Sequence, residues 1–485
     1  MTDCVSSLRD EYLHQFLQDT LEVPCVRIRL TQLVVEQPRV YEAPGNLILG
    51  KSFGVRGDFR VLKPSNAIED LYARLFMSND DTLGQLVRDD KYFRLEAVTS
   101  TGVLWTCPRV TVRERLGRDE YEVHFEASYV ENISQAKEPA YAARLTYIEN
   151  LRMPENHHVD EVGRSGSRFI GRDGSKGRLA NLDLTYVRRF RDDTVERCEL
   201  SVHAAEGVTP PRHFDMRVQE TMIFCSALLA QPVCTELAHG KLRSILFSKH
   251  RPVKAGFASP PIQDRVAEQD FYKLASAYYE HACKDGDLEL MSQLTRKVAS
   301  LFDMSTASMA VIALQLSVAV EALAQTRKFQ KQVIASPKQK EVADKVKRRV
   351  LQMQGLKRLA KKFEASNQGP DQRSLKERLA ALLGGLSSGG RTVDVLRMLQ
   401  KAGAVTAEEI TAWNKLRNSA AHGSCEPQDD QMQVHFDDLF KVMTLVYRLA
   451  FAHIGYDGRF NARSVRGWPV AEFKGKDVQA ALTSE

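Results

Sequence analysis

Along the first half of the chain the apolar residues recur with a period of two. VRIRLTQLVV (Val26–Val35), DFRVL (Asp58–Leu62), YFRLEAV (Tyr92–Val98), RVTVRER (Arg109–Arg115) and EYEVHFEA (Glu120–Ala127) alternate polar with apolar or β-branched positions, the pattern of half-buried strands. ARLTYIE (Ala143–Glu149), LDLTYVRRF (Leu182–Phe190) and CELSVHA (Cys198–Ala204) continue the series. A short amphipathic helix over Leu8, Tyr12, Phe16 and Leu17 precedes it, and a helical interruption is expected near Ile68–Phe76. Many short strands separated by turn residues predict a sandwich or barrel-like sheet. Gly163–Arg178 (GRSGSRFIGRDGSKGR) lacks the Gly-x4-Gly-Lys-Ser/Thr spacing of a P-loop and reads as a basic surface loop.

A Pro-rich break at Arg251–Asp264 ends the alternation. After it the period becomes helical, with segments expected at roughly 264–283, 287–302, 305–326, 340–363, 373–383, 391–402, 407–422 and 430–454. The expected organisation is a β-rich domain over 1–260, a helical domain over 265–460 and a tail over 461–485. The fold class is α+β multidomain, a mainly-β N-terminal domain followed by an all-α bundle.

Charge adds a location to this picture. The whole chain carries only +6, yet Arg327–Lys362 holds thirteen Lys or Arg against Glu341 and Asp344. That segment is therefore +11 and the remainder −5. Lys345, Arg348, Arg349, Lys357 and Arg358 are its candidate phosphate contacts, since such a patch draws polyanions. The eight cysteines include no Cys-x-x-Cys pair, so neither a structural zinc site nor a disulfide framework is expected, and no metal or cofactor is assigned. The first residues lack the apolar core of a signal peptide, and Met304–Ala324 is interrupted by Gln315 and Glu321. A cytoplasmic protein without a membrane span is the expectation.

One helix carries candidate chemistry. In VTAEEITAWNKLRNSAAHG (Val405–Gly423), Thr406 and Glu409 have capping-box spacing, Ile410, Trp413 and Leu416 form an apolar stripe, and Gly423 suits the stop. At about 100° per residue, Asn418 lies about 100° and His422 about 140° round from Arg417. A guanidinium, an amide and a titratable imidazole then share the helix's C-terminal end. Such a group can bind a phosphodiester and move protons around it. Arg448 and His453 have similar spacing, but Leu449 and Phe451 crowd them, so they read as structural.

WNKLRNSAAHG resembles the Arg-Asn-x3-His signature of HEPN-domain ribonucleases, and SVAVEALAQ (Ser317–Gln325) is similar to their apolar helix with an embedded glutamate. A β-rich first half before such a helical region resembles ApeA-type anti-phage proteins. The resemblance implies a HEPN-like bundle and a homodimer. The implied activity is a metal-independent endoribonuclease in abortive-infection defence, acting on RNA, with tRNA among the candidates, and answering to a phage-derived trigger protein. Under it, His422 is the general acid or base, Arg417 steadies phosphoryl charge, Asn418 orients, and Glu321 is the supporting acid. The alternatives are a non-catalytic RNA-binding adaptor, and a carbohydrate- or protein-binding β domain with a helical oligomerisation module.

Overall fold

The computed structural model describes residues 10–36, 38–62, 88–116, 120–155, 157–162, 168–191, 194–253, 256–263, 268–284, 291–303, 307–326, 328–329, 345, 349, 392–421 and 431–483. The chain divides into two compact units. One comprises Met1–Lys254 with Cys283–Met291, the other Ala255–Ala282 with Ser292–Glu485.

The first unit is built on a closed barrel of six antiparallel strands. β1 (Leu21–Gln32), β2 (Val40–Gly50), β3 (Gly54–Leu62), β4 (Tyr92–Thr99), β5 (Leu104–Leu116) and β6 (Glu120–Ala127) run in the order β4-β1-β2-β3-β6-β5. Pairing of Phe93–Val98 on β4 with Leu104–Val110 on β5 closes the ring. Closure leaves no open edge and buries the inward set of each alternating strand. Ile28, Leu30, Leu47, Leu49, Val55, Leu95 and Val123 form the core, and Leu13, Phe16 and Leu17 of α1 (Asp10–Leu17) pack into it.

Further strands extend from the barrel. β7 (Tyr129–Tyr147) pairs briefly with β5 and continues into β11-β10-β9-β8, namely Thr194–Ala204, Leu182–Arg191, Arg168–Leu179 and His157–Val162. β12 (Cys234–Ser248) pairs along β7 and curls so far that the Ser248 N–H donates to the Val233 carbonyl at 2.9 Å. Gly163–Arg178, expected as a loop, is a strand from Arg168 onward: Gly174–Leu179 pair in register with Leu182–Val187. Its glycines cost conformational entropy that the ladder hydrogen bonds offset. The interruption near Ile68–Phe76 lies outside the described residues. α2 (Phe214–Ser226) completes the unit.

In the second unit, α3 (Glu268–Lys284), α4 (Gln293–Val298, continued by a 3-10 turn over Ala299–Asp303), α5 (Met309–Ala324), α6 (Thr392–Lys401), α7 (Ala407–Ala421) and α8 (Met432–Ile454) follow one another. Ser292 and Ser308 cap α4 and α5 by accepting backbone N–H groups. The expectation of an all-α, HEPN-like bundle is corrected here. The second unit contains a β-hairpin, β13 (Asp457–Asn461) with β14 (Val470–Lys474), and then α9 (Gly475–Thr483). The helices give no evidence of a HEPN bundle.

The hairpin has a physical cause. Gly455, at φ +74°, ends α8 in the left-handed conformation that only glycine adopts without strain. The next residues then alternate, so that Phe460 and Phe473 pack edge-on against Phe451 of α8 at 5.4 and 5.5 Å. Residues 461–483 are thus an integral part of this unit and not a surface tail. The candidate segments 340–363 and 373–383 lie outside the described residues apart from Lys345 and Arg349.

Candidate functional site

The capping box forms as its spacing requires. The Glu409 N–H donates to Thr406 Oγ1 at 3.3 Å, and the Thr406 N–H donates to Glu409 Oε2 at 3.0 Å. This fixes where α7 starts and hence which residues reach its far end. Trp413 is buried and donates its indole N–H to the Ser317 carbonyl of α5 at 3.4 Å. That contact locks the rotation of α7 against α5.

One turn later the guanidinium of Arg417 lies over the Trp413 ring, 5.7 Å from its centroid. Its Nε donates to Glu321 Oε1 at 2.5 Å. Arg417 is therefore held from below by an aromatic face and from one side by a carboxylate. Its side chain remains 52% exposed. Among the described residues its terminal nitrogens make no hydrogen bond, which leaves the fork available to an anion. Asn418 is exposed beside it, and His422 and Gly423 lie outside the described residues. The structure thus brings together Arg417 and Glu321, with Asn418 next to Arg417 along the helix.

A second cluster flanks the same helix. Asp438 of α8, nearly buried, accepts from Lys415 at 2.7 Å and from Lys441 at 3.3 Å. His435, one turn earlier, is buried, and burial holds its imidazole below the usual range, so it is neutral near pH 7. Neither Asp438 nor His435 stood out in the sequence, because each sits among polar residues at the start of a long helix. Only the packing of α7 on α8 makes them neighbours of Lys415.

The other Arg-His pair is built differently. Arg448 is mostly buried, with Nε 3.1 Å from Glu409 Oε1. The angle there is too poor for a hydrogen bond, so this contact is an ion pair only. A terminal nitrogen of Arg448 donates to the Ala404 carbonyl at 3.2 Å, and the guanidinium covers the Phe460 ring. Burial pushes the Glu409 carboxyl up, and Arg448 opposes that rise. His453 sits between the rings of His281 and Phe329, each 5.3 Å away, and burial drives its imidazole down to about 3. These groups tie α8 to its neighbours.

Of the basic segment, Lys345 and Arg349 are exposed, and Arg348, Lys357 and Arg358 lie outside the described residues. Five cysteines are buried as free thiols and Cys283 is partly buried. Among the described residues no group of three His, Cys, Asp or Glu is placed to hold a metal ion. Among the same residues no helix is long and apolar enough to cross a membrane. No family model, curated protein or solved structure matches the chain.

Proposed function

We propose that the chain is a metal-independent endoribonuclease with Arg417, Asn418 and His422 at its centre. The carrying observation is the presentation of Arg417: half exposed, fixed by Glu321 and Trp413, with its terminal nitrogens turned to no described partner. In this reading the fork engages the non-bridging oxygens of a phosphodiester. The ribose 2′-OH attacks phosphorus, the O2′–P bond forms and the P–O5′ bond breaks. His422 takes the 2′ proton, and a proton is returned to the leaving 5′ oxygen. The products are a 2′,3′-cyclic phosphate and a 5′-OH end. Arg417 lowers the barrier by stabilising the charge that grows on the phosphoryl oxygens.

The partner in this proposal is RNA, tRNA among the candidates, guided by the +11 segment that contains Lys345, Arg348, Arg349, Lys357 and Arg358. A homodimer fits the same face. Val311, Leu314 and Val318 of α5 form a stripe at helical spacing that is 41–56% exposed, on the helix that also carries Glu321. Leu314→Asp should shift the protein to monomer in sedimentation equilibrium, and an unchanged mass would remove the stripe from the interface. A cytoplasmic role in anti-phage defence, with a phage-derived trigger, rests on the ribonuclease resemblance.

The test is incubation with total RNA in EDTA, followed by end-group analysis. Fragments ending in cyclic phosphate support the proposal, and their absence in triggered and untriggered samples refutes it. A non-catalytic RNA-binding adaptor is the second reading. The Arg417–Glu321 pair favours it, because part of the guanidinium's charge is already answered by a carboxylate.

A further inference from the structure

The outer wall of the barrel holds a cavity of about 370 Å³. Its lining follows from strand register. Ile48 on β2 faces Arg56 on β3, Arg56 faces Glu126 on β6, and Glu126 faces Thr111 on β5. Two residues along, Asp58, His124 and Arg113 form a second row across β3, β6 and β5. Rows two residues apart and strands about 4.8 Å apart give a footprint of roughly 7 by 14 Å. Gly57 lies between the rows, and a Cβ there would come 2.6 Å from the Phe125 ring. Glycine lets that ring press against the β3 backbone beneath the cavity.

The lining groups are only weakly engaged with one another. The Arg56 guanidinium rests on the Phe53 ring at 4.1 Å, which orients it without using its donors. Arg113 reaches Glu126 at 3.5 Å, a loose ion pair at the rim. His124 is 4.0 Å from Glu122, beyond hydrogen-bond reach. The Asp58 carboxylate makes no hydrogen bond or ion pair to a described residue. Here Arg56 and Arg113 stand at diagonal corners of the two rows, Glu126 and His124 lie on the strand between them, Asp58 sits two residues along β3 from Arg56, and Ile48 is at the edge.

A complementary ligand needs an anionic group for the arginines. It also needs hydrogen-bond donors for Asp58 and Glu126, and a flat face for His124. The volume lies at the small-ligand end of binding pockets, roughly 300–1,000 Å³. We propose that this cavity binds a nucleoside monophosphate, either free or as one residue of an RNA strand. The phosphate lies between Arg56 and Arg113, the base stacks on His124, and an exocyclic amino group donates to Asp58. The cavity belongs to the barrel unit, and its binding does not depend on cleavage at Arg417.

The test is isothermal titration of the full chain with AMP, GMP, CMP and UMP, and with a single-stranded hexaribonucleotide, using the His422→Ala protein throughout. At least one mononucleotide should bind, and Arg113→Glu and the isosteric Asp58→Asn should each weaken it about 10-fold or more at unchanged melting temperature. Arg115→Glu, one row further along β5, should not. Tighter binding of the hexamer than of any mononucleotide, lost in the same two variants, assigns the cavity to an RNA strand; equal affinity assigns it to the free nucleotide. No mononucleotide binding at millimolar concentration, binding indifferent to Arg113 and Asp58, or competition by a free amino acid instead of a nucleotide overturns the proposal.

Discussion

His453 offers a quantitative handle on the packing of the second unit. Burial, with the positive charges of His281, Lys328 and Lys297 nearby, lowers its imidazole from 6.5 to about 3. The neighbouring Lys328 donates to the carbonyls of Ala452 and His453 at 3.1 and 2.8 Å, which keeps its ammonium beside this ring. The folded value lies below the unfolded one, so between about 3 and 6.5 the unfolded chain binds the extra proton. Stability is therefore whole above pH 6.5 and falls as pH drops towards 3. At about 1.4 kcal/mol per unit the full shift caps the effect at about 5 kcal/mol. By pH 4.5 the ceiling is about 2.7 kcal/mol, and the ring's partial exposure lowers it further. The assay is urea unfolding followed by circular dichroism at pH 7.0 and 4.5, for the native chain and for His453→Phe, whose ring suits the contact with Phe329. The native chain should lose about 1–2.5 kcal/mol more than the variant between the two pH values. Equal losses would refute the assignment of a neutral, buried His453.

Three further outcomes are expected. His422→Ala and Arg417→Ala should each cost at least about 100-fold in cleavage rate at unchanged melting temperature. His453→Phe should leave the rate per folded molecule intact, and the reverse pattern would mean that Arg448 and His453 are the working pair. Arg448→Met should destabilise by about 3–5 kcal/mol because it strands the buried Glu409 carboxylate, while Glu409→Gln/Arg448→Met together should cost less. Thermal melts of the single and double variants decide this, and additive losses would contradict it. Reversing Lys345, Arg348 and Arg349 to Glu should flatten the salt dependence of RNA binding by roughly 0.7–0.9 per lost contact. An unchanged slope would separate the basic segment from RNA.

The local features of this protein were legible in its residues. The strand Glu120–Ala127 and the helix beginning at Ala407 follow from alternation and from a capping box whose partners sit three residues apart. Such features need only a few neighbouring residues and no knowledge of the remaining chain. β2, β12 and the glycine-containing β9 were missed, because their pattern is weak and their pairing, not their composition, makes them strands. The terminal hairpin was missed for a related reason: two five-residue strands carry too little alternation, and the Phe451 surface that organises them lies on another helix.

The candidate site divides in the same way. Arg417 and Asn418 could be read from one helix. The contact of Glu321 with Arg417 spans 96 residues, and the cavity on the barrel wall exists only because Arg56, Glu126 and Thr111 fall into one row. Periodicity tells each strand which residues face outward, but a shift of one residue in pairing would exchange the two faces. Which outward residues become neighbours is decided by register and barrel closure, and those are properties of the folded chain alone.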